Sequence, residues 1–314
     1  MWPSSVQSSL LLCMLPLCAD AARTLDSPKV LVTAPPSYAK RLRSFLEERG
    51  ARVVSCPAVH TELLSRRDAK RLRRELLNGE YDYVAFTSRR GVEGAMRACG
   101  PRLGRRFARG RPTAIALGAD ADALGSYGVP RDRVLVPSKA SPAGVVSLLR
   151  QRVPRKERAT TTVLCPVPHI VGLSEPPVVP NFIASLRRAG FSCERTPAYT
   201  TRWPGPSRGA RAAVQRLADF DAIAITSTAE AEGLKRFCDL YNVNLRRGHA
   251  AGVPIVVHGP VTAGGAQRCG VRVAAVNREF GSFAGLADTV MRVCALRLMG
   301  AWVLDVVDGS WLLD

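Results

Sequence analysis

Short continuous apolar runs alternate along this chain with segments whose apolar residues recur at helical spacing. Val30-Leu31-Val32-Thr33 is one such run. Residues 38–49 follow, with Leu42, Phe45 and Leu46 on one helical face and Gly50 directly after. Glycine just past the last helical residue is a stop signal, because it adopts the left-handed backbone that other residues avoid. Residues 51–55 are strand-like again. The same order of strand, helix, glycine and strand recurs at 163–165, 182–189, Gly190 and 191–194.

A second pair of segments matches more closely. Tyr81-Asp82-Tyr83-Val84-Ala85-Phe86-Thr87-Ser88 corresponds to Phe220-Asp221-Ala222-Ile223-Ala224-Ile225-Thr226-Ser227. Amphipathic segments follow at 92–98 and 229–237. A third pair, 113–118 and 254–259, ends in glycine. A fourth, 133–136 and 272–276, leads into helical patterns reaching Leu149 in one copy and Leu286 and Val293 in the other. Self-similarity of this kind marks a duplicated structural unit. Apolar runs without alternation suit strands covered on both faces, as in parallel sheets. The pattern predicts an α/β fold of two similar doubly wound parallel-sheet lobes, with 60–65 and 197–206 as connecting segments.

Ligands of open parallel sheets sit beyond the carboxyl ends of the strands, where helix N-termini favour anions. Thr87, Ser88, Thr226 and Ser227 stand at such junctions, and Gly259 and Thr262 follow the third strand of the second copy. Each hydroxyl has two readings, as a helix cap or as a donor to a bound carboxylate. No G-x-S-x-G, no G-x-x-x-x-G-K-[ST] and no dinucleotide fingerprint occurs, so nothing in the sequence indicates nucleophile-plus-base, nucleotide or nicotinamide chemistry.

Composition sharpens the picture of the ligand. The 314 residues are enough for two domains, and 46% apolar with 23% charged residues is ordinary for a globular protein. The balance of 45 basic against 26 acidic residues gives +19 and points to an anionic partner. Most basic residues fall on helical patterns as solvated faces. No basic patch interleaved with aromatics supports a nucleic-acid partner. The 9 cysteines are widely spaced and form no C-x-x-C, and the 4 histidines form no H-x-x-x-H. Neither a disulfide framework nor a metal site is expected. Residues 1–26 carry a short apolar block ending at Leu17 and then Ala19-Asp20-Ala21, a pattern similar to a targeting leader. Residues 295–314 form an apolar tail outside the repeat. No stretch has the length of a membrane span, so no membrane partner is expected.

The ordered set of strand-end motifs resembles the uroporphyrinogen-III synthase family over about residues 29–293. Its members are Val30-Leu31-Val32-Thr33-Ala34-Pro35, Phe86-Thr87-Ser88-Arg89-Arg90-Gly91-Val92, Arg195-Thr196-Pro197-Ala198-Tyr199-Thr200, Ile225-Thr226-Ser227 and His258-Gly259-Pro260-Val261-Thr262-Ala263. The resemblance implies that residues 27–60 join 203–294 in one lobe, that 66–195 form the other, and that 61–65 and 196–202 are the strands of a two-stranded linker. It implies a monomeric, cofactor-free lyase acting on hydroxymethylbilane, a linear tetrapyrrole with eight carboxylates, in heme and chlorophyll biosynthesis. Tyr199 matches the tyrosine expected to help the terminal hydroxyl depart. Thr87, Ser88, Thr226, Ser227, Gly259 and Thr262 match cleft positions, and Arg89 is placed to pair with a substrate carboxylate. With the leader, a plastid location follows for a photosynthetic eukaryote, and a cytoplasmic one otherwise.

Departures from the family pattern support an alternative, a two-lobed tetrapyrrole- or polycarboxylate-binding relative without turnover. Ala34 stands where the family often has arginine, and 166–180 is rich in proline. Asp120 and Asp122 occupy a glycine motif that normally carries Thr-Ala.

Overall fold

The computed structural model describes residues 27–279 and 282–298; the leader-like segment and residues 299–314 of the apolar tail lie outside the described residues. The first part of the chain forms β1 (Lys29–Val32), α1 (Pro36–Glu47), β2 (Arg52–Ser55), β3 (His60–Leu63), α2 (Lys70–Asn78), β4 (Tyr83–Phe86), α3 (Arg89–Cys99) and α4 (Arg102–Ala108). Then come β5 (Thr113–Ala116), α5 (Asp120–Ser126), β6 (Val134–Leu135), α6 (Pro142–Arg152), β7 (Thr162–Val171), α7 (Val178–Arg188) and β8 (Ser192–Arg202). The last part forms α8 (Arg208–Gln215), β9 (Ala222–Ile225), α9 (Thr228–Leu240), β10 (Ile255–Val257), α10 (Pro260–Arg268), β11 (Ala275–Val276) and α11 (Phe283–Leu298).

Two sheets result, with strand orders β11-β10-β9-β1-β2 and β3-β8-β7-β4-β5-β6. Every neighbouring pair is parallel except β3 with β8. The two copies exchange parts. β1 and β2 complete the sheet of β9 to β11, and β7 and β8 complete the sheet of β4 to β6. We call the first sheet with its helices lobe 1 and the second lobe 2.

Side chains of a strand alternate between faces, and here both faces are covered. In lobe 1, Leu31, Ile223, Ile225 and Val257 pack with α8, α9 and α10, whereas Val30, Val32, Ala224 and Val256 pack with α1 and α11. In lobe 2, Val84, Phe86 and Ala116 pack with α2 to α5, whereas Ala85, Ile115 and Val163 pack with α6 and α7. This double cover is why the strands are apolar throughout. Helix starts have a local cause as well: Ser88, Ser141, Ser207 and Ser227 each accept the backbone N–H three residues on. Gly50 and Gly190, read as stops, have φ of 84° and 97°.

At the connection between the lobes β3 and β8 pair as two strands, and β7 extends alongside them. β3 pairs antiparallel with β8 from His60 to Leu63, and β7 runs along the other side of β8 as far as Val171, giving three strands. Sequence reading places this strand at 163–165, and Pro166 and Pro168 follow it. Proline lacks the N–H that a central strand needs. Beyond Leu164, however, β7 has a ladder partner on one side only, and the register shifts at Val167/Pro168.

Two glycines set how closely the lobe helices meet this connection. A Cβ built on Gly94 of α3 would overlap the Ala198 carbonyl oxygen, and one on Gly233 of α9 would overlap the Ala58 carbonyl oxygen. Among the described residues no helix is long and apolar enough to cross a membrane. Gly233→Ala is expected to cost about 1–3 kcal/mol in urea unfolding through overpacking. Gly209→Ala in α8, where nothing lies within 4 Å of the added atom, should gain roughly 0.5 kcal/mol.

Candidate active site between the lobes

A cavity of about 540 Å³ opens between the carboxyl ends of the two sheets. Thr87, Ser88, Arg89 and Tyr199 of lobe 2 line it, and Thr226 and Ser227 of lobe 1 line it from the opposite side. The turns that carry them follow β4 and β9, which are central strands beside the points where each sheet's order reverses. That position is where doubly wound sheets offer a crevice. A wider groove of about 950 Å³ between α6 and α7 brings none of the predicted residues together.

Two predicted residues sit elsewhere. Thr262 is buried in α10 and its hydroxyl donates to the Thr226 carbonyl, so it braces the strand end from behind. Gly259 is the buried residue before α10, with an extended φ of −179°, and does not line the cavity. Its neighbour His258 does, with its ring 5.3 Å from that of Phe283.

Tyr199 is 8% exposed, and its Oη accepts from Ser88 Oγ at 3.3 Å. Ser88 Oγ in turn accepts the Gly91 N–H as the α3 cap. The Tyr199 proton is therefore not used within this group. Burial pushes the Tyr199 hydroxyl up to about 12, against the Ser88 hydrogen bond, which lowers it. Tyr38, on the facing lobe, is also raised by burial and then by the charge of Asp120.

The cations divide by partner. Arg90 is bound to Glu93 at 2.8 Å and reaches Ser37 of lobe 1 at 3.2 Å. Arg89 lies 3.7 Å from Glu93 and donates to the Ala119 carbonyl. Arg41 of α1, which sequence reading missed, makes no ion pair among the described residues and stands over the Phe283 ring at 5.2 Å. Its signal was available: Leu42 and Leu46 fix the buried face of α1, and Arg41 lies outside that face.

Asp120 lines the same cavity at the start of α5. Burial raises its carboxyl to about 6; the Arg89 charge lowers it and the Glu93 charge raises it. Below that pH, protonation removes the repulsion that Asp120 presents to an anion. Asp122 is exposed, beside Arg131 at 3.8 Å, and does not line the cavity. All cysteines among the described residues are free, and burial raises thiols such as Cys56, to about 11. Among the described residues no cluster of three or more His, Cys, Asp or Glu is placed to hold a metal ion.

The family model for uroporphyrinogen-III synthase HemD matches residues 40–286. The chain belongs to the uroporphyrinogen-III synthase family. No individual curated protein matches it in sequence. Its fold is similar to a mutant uroporphyrinogen III synthase of Thermus thermophilus at TM-score 0.56 and 19% identity, covering 86% of this chain and 99% of that one. It is also similar to the uroporphyrinogen-III synthetase of Helicobacter pylori at TM-score 0.51 and 12% identity, covering 85% and 99%. At these identities the likeness to this synthase family's structures is one of fold.

Because Asp120 gains its charge as pH rises through about 6, a bound polycarboxylate should then be held less tightly. Tyr38 and Tyr199, both raised by burial, stay neutral over this range, and the charged side chains facing Asp120 are Arg89 and Glu93. Fluorescence titration with uroporphyrin should show affinity falling across that pH. Asp120→Asn should keep the low-pH affinity and remove the fall; an unchanged fall in this variant contradicts the assignment.

Proposed function

We propose that this chain is a uroporphyrinogen-III synthase, a hydro-lyase of tetrapyrrole biosynthesis. It closes hydroxymethylbilane to uroporphyrinogen III with inversion of the last pyrrole ring and loss of water, using no cofactor. The observation that carries this reading is one cavity lined from opposite lobes by Thr87, Ser88 and Tyr199 and by Thr226 and Ser227.

The residues suit the chemistry. Eight carboxylates call for cations and donors, and Arg41, Arg89, Arg90 and the Thr87 hydroxyl supply both. Hydrogen bonds between charged groups are the stronger kind. Departure of the terminal hydroxyl needs a proton on its oxygen as the C–O bond breaks and the pyrrole electrons follow. Tyr199 remains protonated at neutral pH, and its proton is free to point into the cavity. The electrophilic carbon then bonds to the substituted α-carbon of the last ring to give the spiro intermediate. Cleavage and reclosure invert that ring. The proton lost on rearomatisation balances the one delivered, and water is the net product. The open chain also closes unaided to the unturned isomer, so the protein's main task is to hold one geometry.

Chromatography of the oxidised porphyrins should show the type III isomer when hydroxymethylbilane is supplied. A mixture dominated by type I contradicts the proposal, and porphyrin binding without isomer control favours the non-catalytic alternative. Tyr199→Phe should lower kcat by up to about 100-fold, the low end for a general acid, with type III still the main product.

A further inference from the structure

Glu230 is 1% exposed, yet it belongs to the cavity wall. Its Oε1 accepts the hydroxyls of Thr226 and Ser227, the latter at 3.0 Å. Its Oε2 accepts the Thr226 N–H at 2.8 Å and the Thr33 hydroxyl at 3.0 Å. Four donors converge on one carboxylate, and among the described residues no Lys or Arg is paired with it. Burial raises its pKa and these hydrogen bonds oppose that rise. The Thr226 and Ser227 hydroxyls each have one proton and direct it to Glu230 Oε1, whereas the Thr33 hydroxyl also lies 3.2 Å from the Ala224 carbonyl. Ser227 Oγ also takes the Glu230 N–H. What Thr226 Oγ1 has left for the cavity is lone pairs.

Lobe 2 is built the other way. The position three residues after Ser88 is Gly91, which has no carboxylate to offer. The Thr87 hydroxyl is not engaged by any group among the described residues, and Arg89 and Arg90 stand beside it. At the two Thr-Ser turns, the lobe 2 hydroxyl is left to donate and the lobe 1 hydroxyl to accept. A tetrapyrrole carries both matching kinds of group: carboxylate side chains that accept, and pyrrole N–H groups that donate.

We propose that Glu230 is a positioning residue that holds the Thr226 hydroxyl as an acceptor, so that the Thr-Ser turn of lobe 1 takes pyrrole N–H groups of the tetrapyrrole while Thr87 and the arginines take its carboxylates. This rests on the tetrapyrrole reading above. It changes the role expected of Thr226 and Ser227 from the sequence, where donation to a carboxylate was one of two readings.

The test is calorimetric binding of two probes to the folded chain. Uroporphyrinogen III, kept reduced, has four N–H donors; benzenehexacarboxylate is a polyanion with none. Thr226→Val should weaken uroporphyrinogen by about three- to tenfold, the worth of one hydrogen bond, and leave benzenehexacarboxylate unchanged. Equal weakening of both probes would mean that Thr226 donates to carboxylates, and would overturn the inference. Glu230→Gln replaces an oxygen acceptor by an N–H₂ donor and should also weaken uroporphyrinogen, with no further loss when combined with Thr226→Val. Additive losses would assign Glu230 a purely structural role. If Glu230→Gln does not fold, the contrast between probes in Thr226→Val still decides. A wild-type chain that binds benzenehexacarboxylate but not uroporphyrinogen also overturns it. Failure of the enzyme reading shows separately, as absence of the type III isomer in the turnover assay.

Discussion

Everything at the cavity depends on two backbone contacts. Gly94 of α3 lies against Ala198, and Gly233 of α9 lies against Ala58, at distances no side chain would permit. Each contact presses a helix onto the strand region that leaves its lobe. Each helix starts at a Ser cap, Ser88 or Ser227, so the contact also fixes where the Thr-Ser turn stands relative to the gap. Close approach of backbones is what glycine allows and alanine does not. Val59 and Tyr199, one residue beyond each alanine, both reach the cavity wall. The pseudo-symmetry of the two halves thus continues to the ligand, but with an apolar residue on one side and a phenol on the other.

Around that frame the cavity is uneven by design of its residues. Three arginines and a neutral-capable acid, Asp120, face it from α1, α3 and α5. A fully buried carboxylate, Glu230, stands behind the lobe 1 hydroxyls. The excess of basic residues in the whole chain therefore says little about the site. Most of them are solvated, and Arg89 and Arg90 are already shared with Glu93.

The strands, the order of the repeat and the Thr-Ser turns were legible because burial on both faces and Ser capping leave local signatures. What sequence could not show is set by contacts distant along the chain. The two-stranded connection came from the family resemblance alone, and the run of β7 beside β8 past Pro166 and Pro168 depends on its one-sided pairing. Thr262 was placed in the cleft by motif, whereas its hydroxyl is turned onto Thr226 by the packing of α10 against α9. The repeat of Pro57-Ala58-Val59 and Pro197-Ala198-Tyr199, with glycine six residues after each Ser cap, was in plain text. Its meaning needs the contact between those glycines and alanines. Glu230 looks like an ordinary helix-start acid, and its role appears only when Thr33, 197 residues away, closes over it.

The exchange of strands between the two halves also orders events in time. Lobe 2 is assembled from the continuous stretch β4 to β8, so its sheet, apart from β3, needs nothing outside that stretch. Lobe 1 is not: β1 needs β9, and the Lys29 N–H bonds Asp221, 192 residues on. During synthesis β1, α1 and β2 leave the ribosome before the rest of lobe 1 and then wait, with one edge of β1 open, until β9 at Ala222–Ile225 has followed. Pairings this distant are slow to form and leave sticky edges meanwhile. The N-terminal βαβ unit is thus the part of a nascent chain with most need of shielding, although in the finished protein β1 lies inside the sheet, between β9 and β2.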